Sequence, residues 1–157
     1  LHEGRIAQAG APRTLYDWPA NKYTASFLGS PGMNFVGAEL TGDRLGAPGM
    51  EVQIDRTQYP HASDGSVSLG LRPHDFERNA GQGAYAEGIV QVLEPMGWET
   101  HVHVEVGGQA WVLRFDANEA ADLQAGERYR FGVRPEAVRL FDPVSGVALY
   151  DVPGSHG

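Results

Sequence analysis

The decapeptides VSLGLRPHDF (67–76) and YRFGVRPEAV (129–138) repeat one design, apolar-Gly-apolar-Arg-Pro followed by His or Glu, 62 positions apart. In each copy a strand runs through a glycine, Gly70 or Gly132, continues for one apolar residue and then meets Arg-Pro. Proline donates nothing to a strand ladder and fixes its own φ, so it ends pairing and starts a turn. Two units of one design therefore call for two equivalent corners in a single barrel or pair of sheets. The corner residues Arg72, Pro73, His74, Arg134, Pro135 and Glu136 are accordingly the first candidates for structural or contact roles, with Arg–Glu pairing as one reason for their recurrence.

The segments around these corners share the same texture. MNFVGAEL (33–40), MEVQI (50–54), GIVQVLE (88–94), THVHVEV (100–106), AWVLRF (110–115) and ERYRFGVR (127–134) are short, Val-rich or alternating, and separated by Gly, Pro, Asp or Asn. LTGDRLGAPG (40–49) reads as a hairpin connection, the Gly-Gly of EVGGQA (105–110) as a tight turn, and DRTQYPHASDG (55–65) as a longer polar loop. With 157 residues, 21 glycines, 10 prolines and 41% hydrophobic content, the chain suits one compact β-rich domain with an appendage.

That appendage is the first 29 residues, which are patterned differently. RIAQAG (5–10) reads as a short strand, and Pro12 suits the first turn of a helix carrying Leu15 and Tyr16 that Pro19 stops. Asn21 can cap a second short helix on which Tyr23 and Phe27 share one face, and Gly29 supplies the left-handed residue that ends it. A turn at Ser30-Pro31-Gly32 leads into Met33 and Asn34.

Charge and composition narrow the function. A net charge of -8 opposes a polyanionic partner, because nucleic-acid affinity rests on cationic side chains displacing counterions from phosphates, and Lys22 is the only lysine. Without cysteine there is no disulfide, no thiolate nucleophile and no thiolate zinc site. No Gly-x-Ser-x-Gly elbow occurs, and Asp116, Glu119 and Asp122 flank a short helical or turn segment rather than forming a spaced acid pair. His101, His103 and Glu105 alternate along one strand face and are types that ligate first-row metals. Opposite them Val102, Val104 and Val106 form a face suited to burial, so the polar trio reads as the solvated side of a strand, and no metal is expected. Nor does Lys22, in PANKYT, follow the glycines of a phosphate-cradling GxxxxGK[ST] loop.

The ordered series Gln8-x-Gly10, Tyr16-x-x-Pro19 and Phe27-x-Gly29-Ser30-Pro31-x-Met33-Asn34-Phe35 resembles the junction between the ATPase domain and the regulatory domain in ATP-binding subunits of carbohydrate ABC importers, of the maltose and glycerol-3-phosphate type. The two Gly-x-Arg-Pro units and GIVQVLEPMGWETHVHVEVGG (88–108) are similar to that family's C-terminal transport-associated OB (TOBE) domain. Trp98, where relatives carry an acidic or small residue, and His74, where Glu is common, depart from the pattern.

The resemblance implies an OB-fold-like barrel, TOBE- or MOP-like, preceded by a short strand and two short helices left from an ATPase domain. Residues 1–31 would be that remnant with its seam, built around Gly29, Ser30, Pro31, Met33 and Asn34, and residues 32–157 the regulatory domain. It further implies a segment of a longer protein that is itself no enzyme and holds no cofactor, ATP and Mg belonging to the full-length parent. Homodimerisation through the β domain, contact with membrane permease subunits and a regulatory protein, and a place on the cytoplasmic face of a bacterial inner membrane complete the expectation. The alternative is a free-standing OB-type module binding an oxyanion or an oligosaccharide, with Trp98, Trp111, Tyr85 and Tyr129 as stacking surfaces.

Overall fold

The computed structural model describes residues 16–29 and 31–153. The expected strand at 5–10, the helix start at Pro12, Leu15 and Ser30 lie outside those residues. The described chain is mainly β, as the segment pattern predicts, with ten strands in one curled antiparallel sheet.

In chain order the strands are β1 (Asn34–Thr41), β2 (Arg44–Ala47), β3 (Met50–Gln53), β4 (Gly65–Leu71), β5 (Phe76–Glu77), β6 (Ala84–Pro95), β7 (Glu99–Val106), β8 (Gln109–Asp116), β9 (Arg128–Val133) and β10 (Arg139–Phe141). They run across the sheet as β10-β4-β1-β2-β3-β6-β7-β8, with β9 paired to both β6 and β5. β6 can serve three partners because it is twelve residues long. Its first part pairs with β3 and β9, and from Ile89 onward it pairs with β7, with a bulge between Val90 and Val92. A bulge sharpens local twist, which is how a long strand turns the corner of a curled sheet.

The stretch 40–49 differs from its expected reading as one connection. It holds a further strand, β2, between two two-residue turns, Gly42-Asp43 and Pro48-Gly49, in each of which the glycine has positive φ. The clue in the sequence is Leu45, a lone apolar residue among turn formers that is nonetheless buried in the core. Gly107-Gly108 forms the tight turn expected of it, both residues at positive φ.

Alternation decides what lies inside. Val102, Val104 and Val106 of β7 are buried, as are Val90 of β6 and Trp111, Leu113 and Phe115 of β8. They pack with Leu40, Val52, Leu69, Phe131 and Leu140 into one core. The polar loop 55–65 also contributes, since Tyr59 is buried and donates its hydroxyl to the Val138 carbonyl.

Asn34 draws the sheet closed. Its side-chain amide donates to the Val112 carbonyl at 2.9 Å and accepts from the Val112 N–H at 3.0 Å, so one side chain joins the start of β1 to β8 as a neighbouring strand would.

Candidate functional site

The two Gly-x-Arg-Pro units form two corners of like design. β4 leads through Arg72 into a 3₁₀ turn at Pro73–Asp75 and then β5; β9 leads through Arg134 into a 3₁₀ turn at Pro135–Ala137 and then β10. Each proline occupies the first turn, where its missing N–H costs nothing. The strand leaving each corner pairs with the strand entering the other: Arg139 lies opposite Gly70, and Glu77 opposite Gly132. Since residues 77 and 139 are also 62 positions apart, the sequence echo becomes an approximate two-fold relation in space.

Both glycines are required by close approach. A Cβ on Gly70 would run into the Met33 thioether and the Phe35 ring, and one on Gly132 would lie 2.5 Å from the Asn79 carbonyl oxygen. Met33, a seam residue, is thus seated in the space that Gly70 leaves open.

The first corner carries the seam. Helix α1 (Lys22–Phe27) is capped by Asn21, whose side chain accepts from the Thr24 N–H at 2.8 Å, and Tyr23 and Phe27 stack on its exposed face. Gly29 follows with φ +92°, the left-handed conformation its position predicts. The Arg72 guanidinium then donates to three carbonyls at once, those of Ala25, Leu28 and Tyr16, while lying 4.2 Å from the Tyr16 ring centroid. A Cβ on Gly29 would stand 3.3 Å from that guanidinium, so the glycine also makes room for it. Carbonyls left over at a helix end are natural acceptors for a cation. Burial pushes the Arg72 pKa below its ordinary value, against the raising influence of Tyr16 and Asp75. Pro31 is half-buried on the path from this junction to Met33.

Arg–Glu pairing does not account for the corners. Among the described residues neither arginine pairs with Glu136, whose backbone carbonyl instead accepts from Arg139. At the first corner the carboxylate is Asp75, which accepts from the Arg72 N–H at 2.8 Å. Burial drives Asp75 upward and His74 below its ordinary 6.5, the imidazole and the carboxyl standing 3.6 Å apart. His74 also stacks against Tyr16. The reason a pairing expectation misses this is geometric: the arginine points away from its own turn toward the carbonyls of the segment lying over it.

A second arginine fastens the same segment. Arg139 donates to the Asp17 carbonyl at 2.7 Å and lies 3.9 Å from the Trp18 ring centroid, and the Tyr150 hydroxyl donates to the Pro19 carbonyl. The backbone of Ala148 donates to Ala20 and that of Lys22 to Gly146. Tyr16 and Trp18 are therefore folded back on the β body, whereas Phe27 is 71% exposed. Sequence reasoning overlooked Arg139, which lies one residue beyond the second unit and has Glu77 as its counterpart in the first, so the echo does not mark it.

The second corner opens onto solvent. Arg134 is exposed beside a cleft of about 620 Å³ that also takes in Trp98, 86% exposed, and the polar side chains of β8. The His101, His103 and Glu105 trio gathers no metal site among the described residues. His101 is buried rather than solvated and contacts Glu99 at 2.9 Å, His103 contacts Glu94 at 3.2 Å, and only Glu105 is fully exposed.

The sequence divides into two matched families. Residues 29–76 match the MalK OB fold domain and residues 69–141 the TOBE domain, the two overlapping at the first corner. The chain carries a TOBE domain over residues 69–141. It is 33% identical over 164 aligned positions to the maltose/maltodextrin import ATP-binding protein MalK of Salmonella typhimurium, covering 98% of this chain and 44% of that protein. The corresponding proteins of Escherichia coli and Yersinia pestis are 31% and 32% identical, covering 98% and 90% of this chain. The chain thus spans less than half the length of these relatives, and the matched families are not catalytic ATPase domains. A cytoplasmic molybdate-binding protein, ModG, shares the fold with a TM-score of 0.55 at 13% identity, over 70% of this chain and 96% of that one. No helix among the described residues is long and apolar enough to cross a membrane.

Proposed function

We propose that this TOBE domain is the non-catalytic regulatory and dimerisation domain of the ATP-binding subunit of a carbohydrate ABC importer. The observation that carries the reading is the ordered match, a MalK-type OB segment running into a TOBE segment, within a chain aligned over 90–98% of its length to maltose importer subunits. Residues 1–31 then belong to the end of the ATPase domain and the seam, and Arg72 and Arg139 transmit its position by gripping backbone carbonyls of residues 16–28. Hydrogen bonds from charged donors are roughly twice as strong as neutral ones, which suits a joint that must not slip.

In the parent, ATP and Mg are held by the ATPase domain, permease subunits and a regulatory protein are the partners, and the assembly sits at the cytoplasmic face of the inner membrane. The exposed Tyr23 and Phe27 pair on α1 is the surface an ATPase domain would cover. Pairing with a second copy uses the apolar groove along β6, β7 and β8, lined by Val92, Ala110 and Val112, with Val92 53% exposed.

Light scattering on the chain tests the pairing. A mass twice that of the monomer at roughly 100 µM, returning to one chain in Val92→Glu, is expected. A monomer at that concentration, or a dimer indifferent to the substitution, would count against autonomous pairing through this face.

A further inference from the structure

The cleft beside Arg134 also reaches His74 and Phe76 of the first corner and shares no lining residue with the pairing groove. Its volume of about 620 Å³ lies within the range of small-molecule clefts. Phe76 of β5 and Phe115 of β8, each 3% exposed, form its floor. At its rim Trp98 stands on the turn between β6 and β7, where Gly97 has φ +97°. The Trp98 carbonyl accepts from the Ala117 N–H at 2.7 Å, so the turn is tied to the start of helix α2 (Ala117–Ala120) and the indole is held beside the cleft.

Leaving a large aromatic side chain in water forgoes the stabilisation its burial would bring. Nothing in the fold uses this indole: it is the most exposed aromatic of the described chain and lies outside the core. Around it the lining is polar and of mixed sign, with three arginines against four carboxylates. Arg134 makes no hydrogen bond or ion pair with another described side chain, and Asn79, Asp116 and Glu119 are exposed beside it.

A nearly balanced set of donors and acceptors rejects a simple anion, which would meet the carboxylates, and an apolar ligand, which would strip water from ionised groups without replacing their hydrogen bonds. A polyhydroxylated ring matches it. Its hydroxyls donate to carboxylates and accept from guanidinium groups, while its C–H face lies against an indole, whose body is apolar and whose edge is polar. OB-type barrels present such surfaces to oligosaccharides.

We propose that the cleft between β5, β8 and the β6–β7 turn binds a neutral oligosaccharide, with Trp98 as the stacking platform and Arg134, Asn79, Asp116 and Glu119 as hydroxyl partners. The inference rests on the cleft alone. Its failure would leave the assignment as an importer domain standing, and the failure of that assignment would leave the cleft's chemistry unchanged.

The test is calorimetry together with tryptophan fluorescence on the 157-residue chain, titrated with maltotriose, with cellotriose and with inorganic phosphate. One of the two saccharides is expected to give saturable heat and a fluorescence change with a Kd tighter than about 10 mM, and phosphate to give neither. Trp98→Ala should weaken binding by about tenfold or more and Arg134→Ala by about threefold, each variant retaining the circular dichroism of the parent chain. Absence of saturation with both saccharides, saturation by phosphate instead, or undiminished saccharide binding in Trp98→Ala would overturn the proposal.

Discussion

The two corners share a sequence and part company in three dimensions. At the first, Arg72 is buried beneath residues 16–29, bonded to three carbonyls and stacked on Tyr16. At the second, Arg134 meets solvent beside an open cleft. Gly, Arg and Pro set the backbone path of each corner alike, and the paired strands β4 with β10 and β5 with β9 repeat that path. What each arginine does depends on what covers it. An internal repeat therefore transmits geometry and leaves chemistry to its neighbours.

Removing the covered arginine should have the largest consequence. Arg72→Ala deletes hydrogen bonds from a charged donor to three carbonyls and a ring contact, and a loss of about 3 kcal/mol is expected in denaturant unfolding. Limited proteolysis should then cut within residues 16–29 before the β body. If Arg134→Ala proved as damaging, the contrast between the corners would be wrong.

The paired glycines sharpen the comparison. Gly132→Ala would force a methyl group against the Asn79 backbone, which can yield only by moving a chain segment, and should cost about 2–3 kcal/mol. Gly70→Ala meets chiefly the flexible Met33 side chain and should cost less, about 1–2 kcal/mol. Thermal melts of the two variants, compared side by side, check the order. Asn34→Ala breaks both hydrogen bonds to Val112 and should cost about 1–2 kcal/mol, with faster hydrogen exchange at the Val112 amide than at the amides of β4.

A pH dependence belongs to the first corner through His74. The folded state holds His74 below its ordinary 6.5, so it binds that proton less tightly than the unfolded chain does. The stability at stake is complete above 6.5 and is lost as pH falls from there toward the lower folded value. Stability measured from pH 7 to 5 should decline less steeply in His74→Gln than in the parent chain. Asp75, raised by burial, acts in the opposite sense, because its stabilising protonation returns only at lower pH. Equal slopes in both proteins would exclude His74 as the source. The smallest effect is that of Arg134→Ala on stability, expected within about 0.5 kcal/mol as for an exposed side chain with no described partner.

Much of this was legible beforehand because it is local. Alternation marked β7 and β8, Gly-Gly marked the turn between them, and Asn21 and Gly29 marked the two ends of α1. The seam residues Met33 and Asn34 could be singled out, but not that one fills the space above Gly70 and the other clamps β8. The strands β5 and β10 escaped notice because two and three residues are too few to display a period, and β2 because it lies between two glycine turns with one apolar residue, Leu45, turned to the core. Long-range partners leave no periodic trace, which is why Arg139 went unremarked and Tyr59 passed as part of a polar loop.

The amino-acid order by itself determined a β-rich chain with two matching corners, a capped helix and an acidic surface, since propensity, side-chain alternation and proline stereochemistry act over a few residues. Only the tertiary structure decided which arginine became a buried clasp and which an exposed one beside a cleft. That choice was made by the segment 16–29 lying across one corner and not the other: desolvation and hydrogen bonding to its carbonyls are set by chain segments 44 to 56 residues away in sequence, beyond the reach of any local rule.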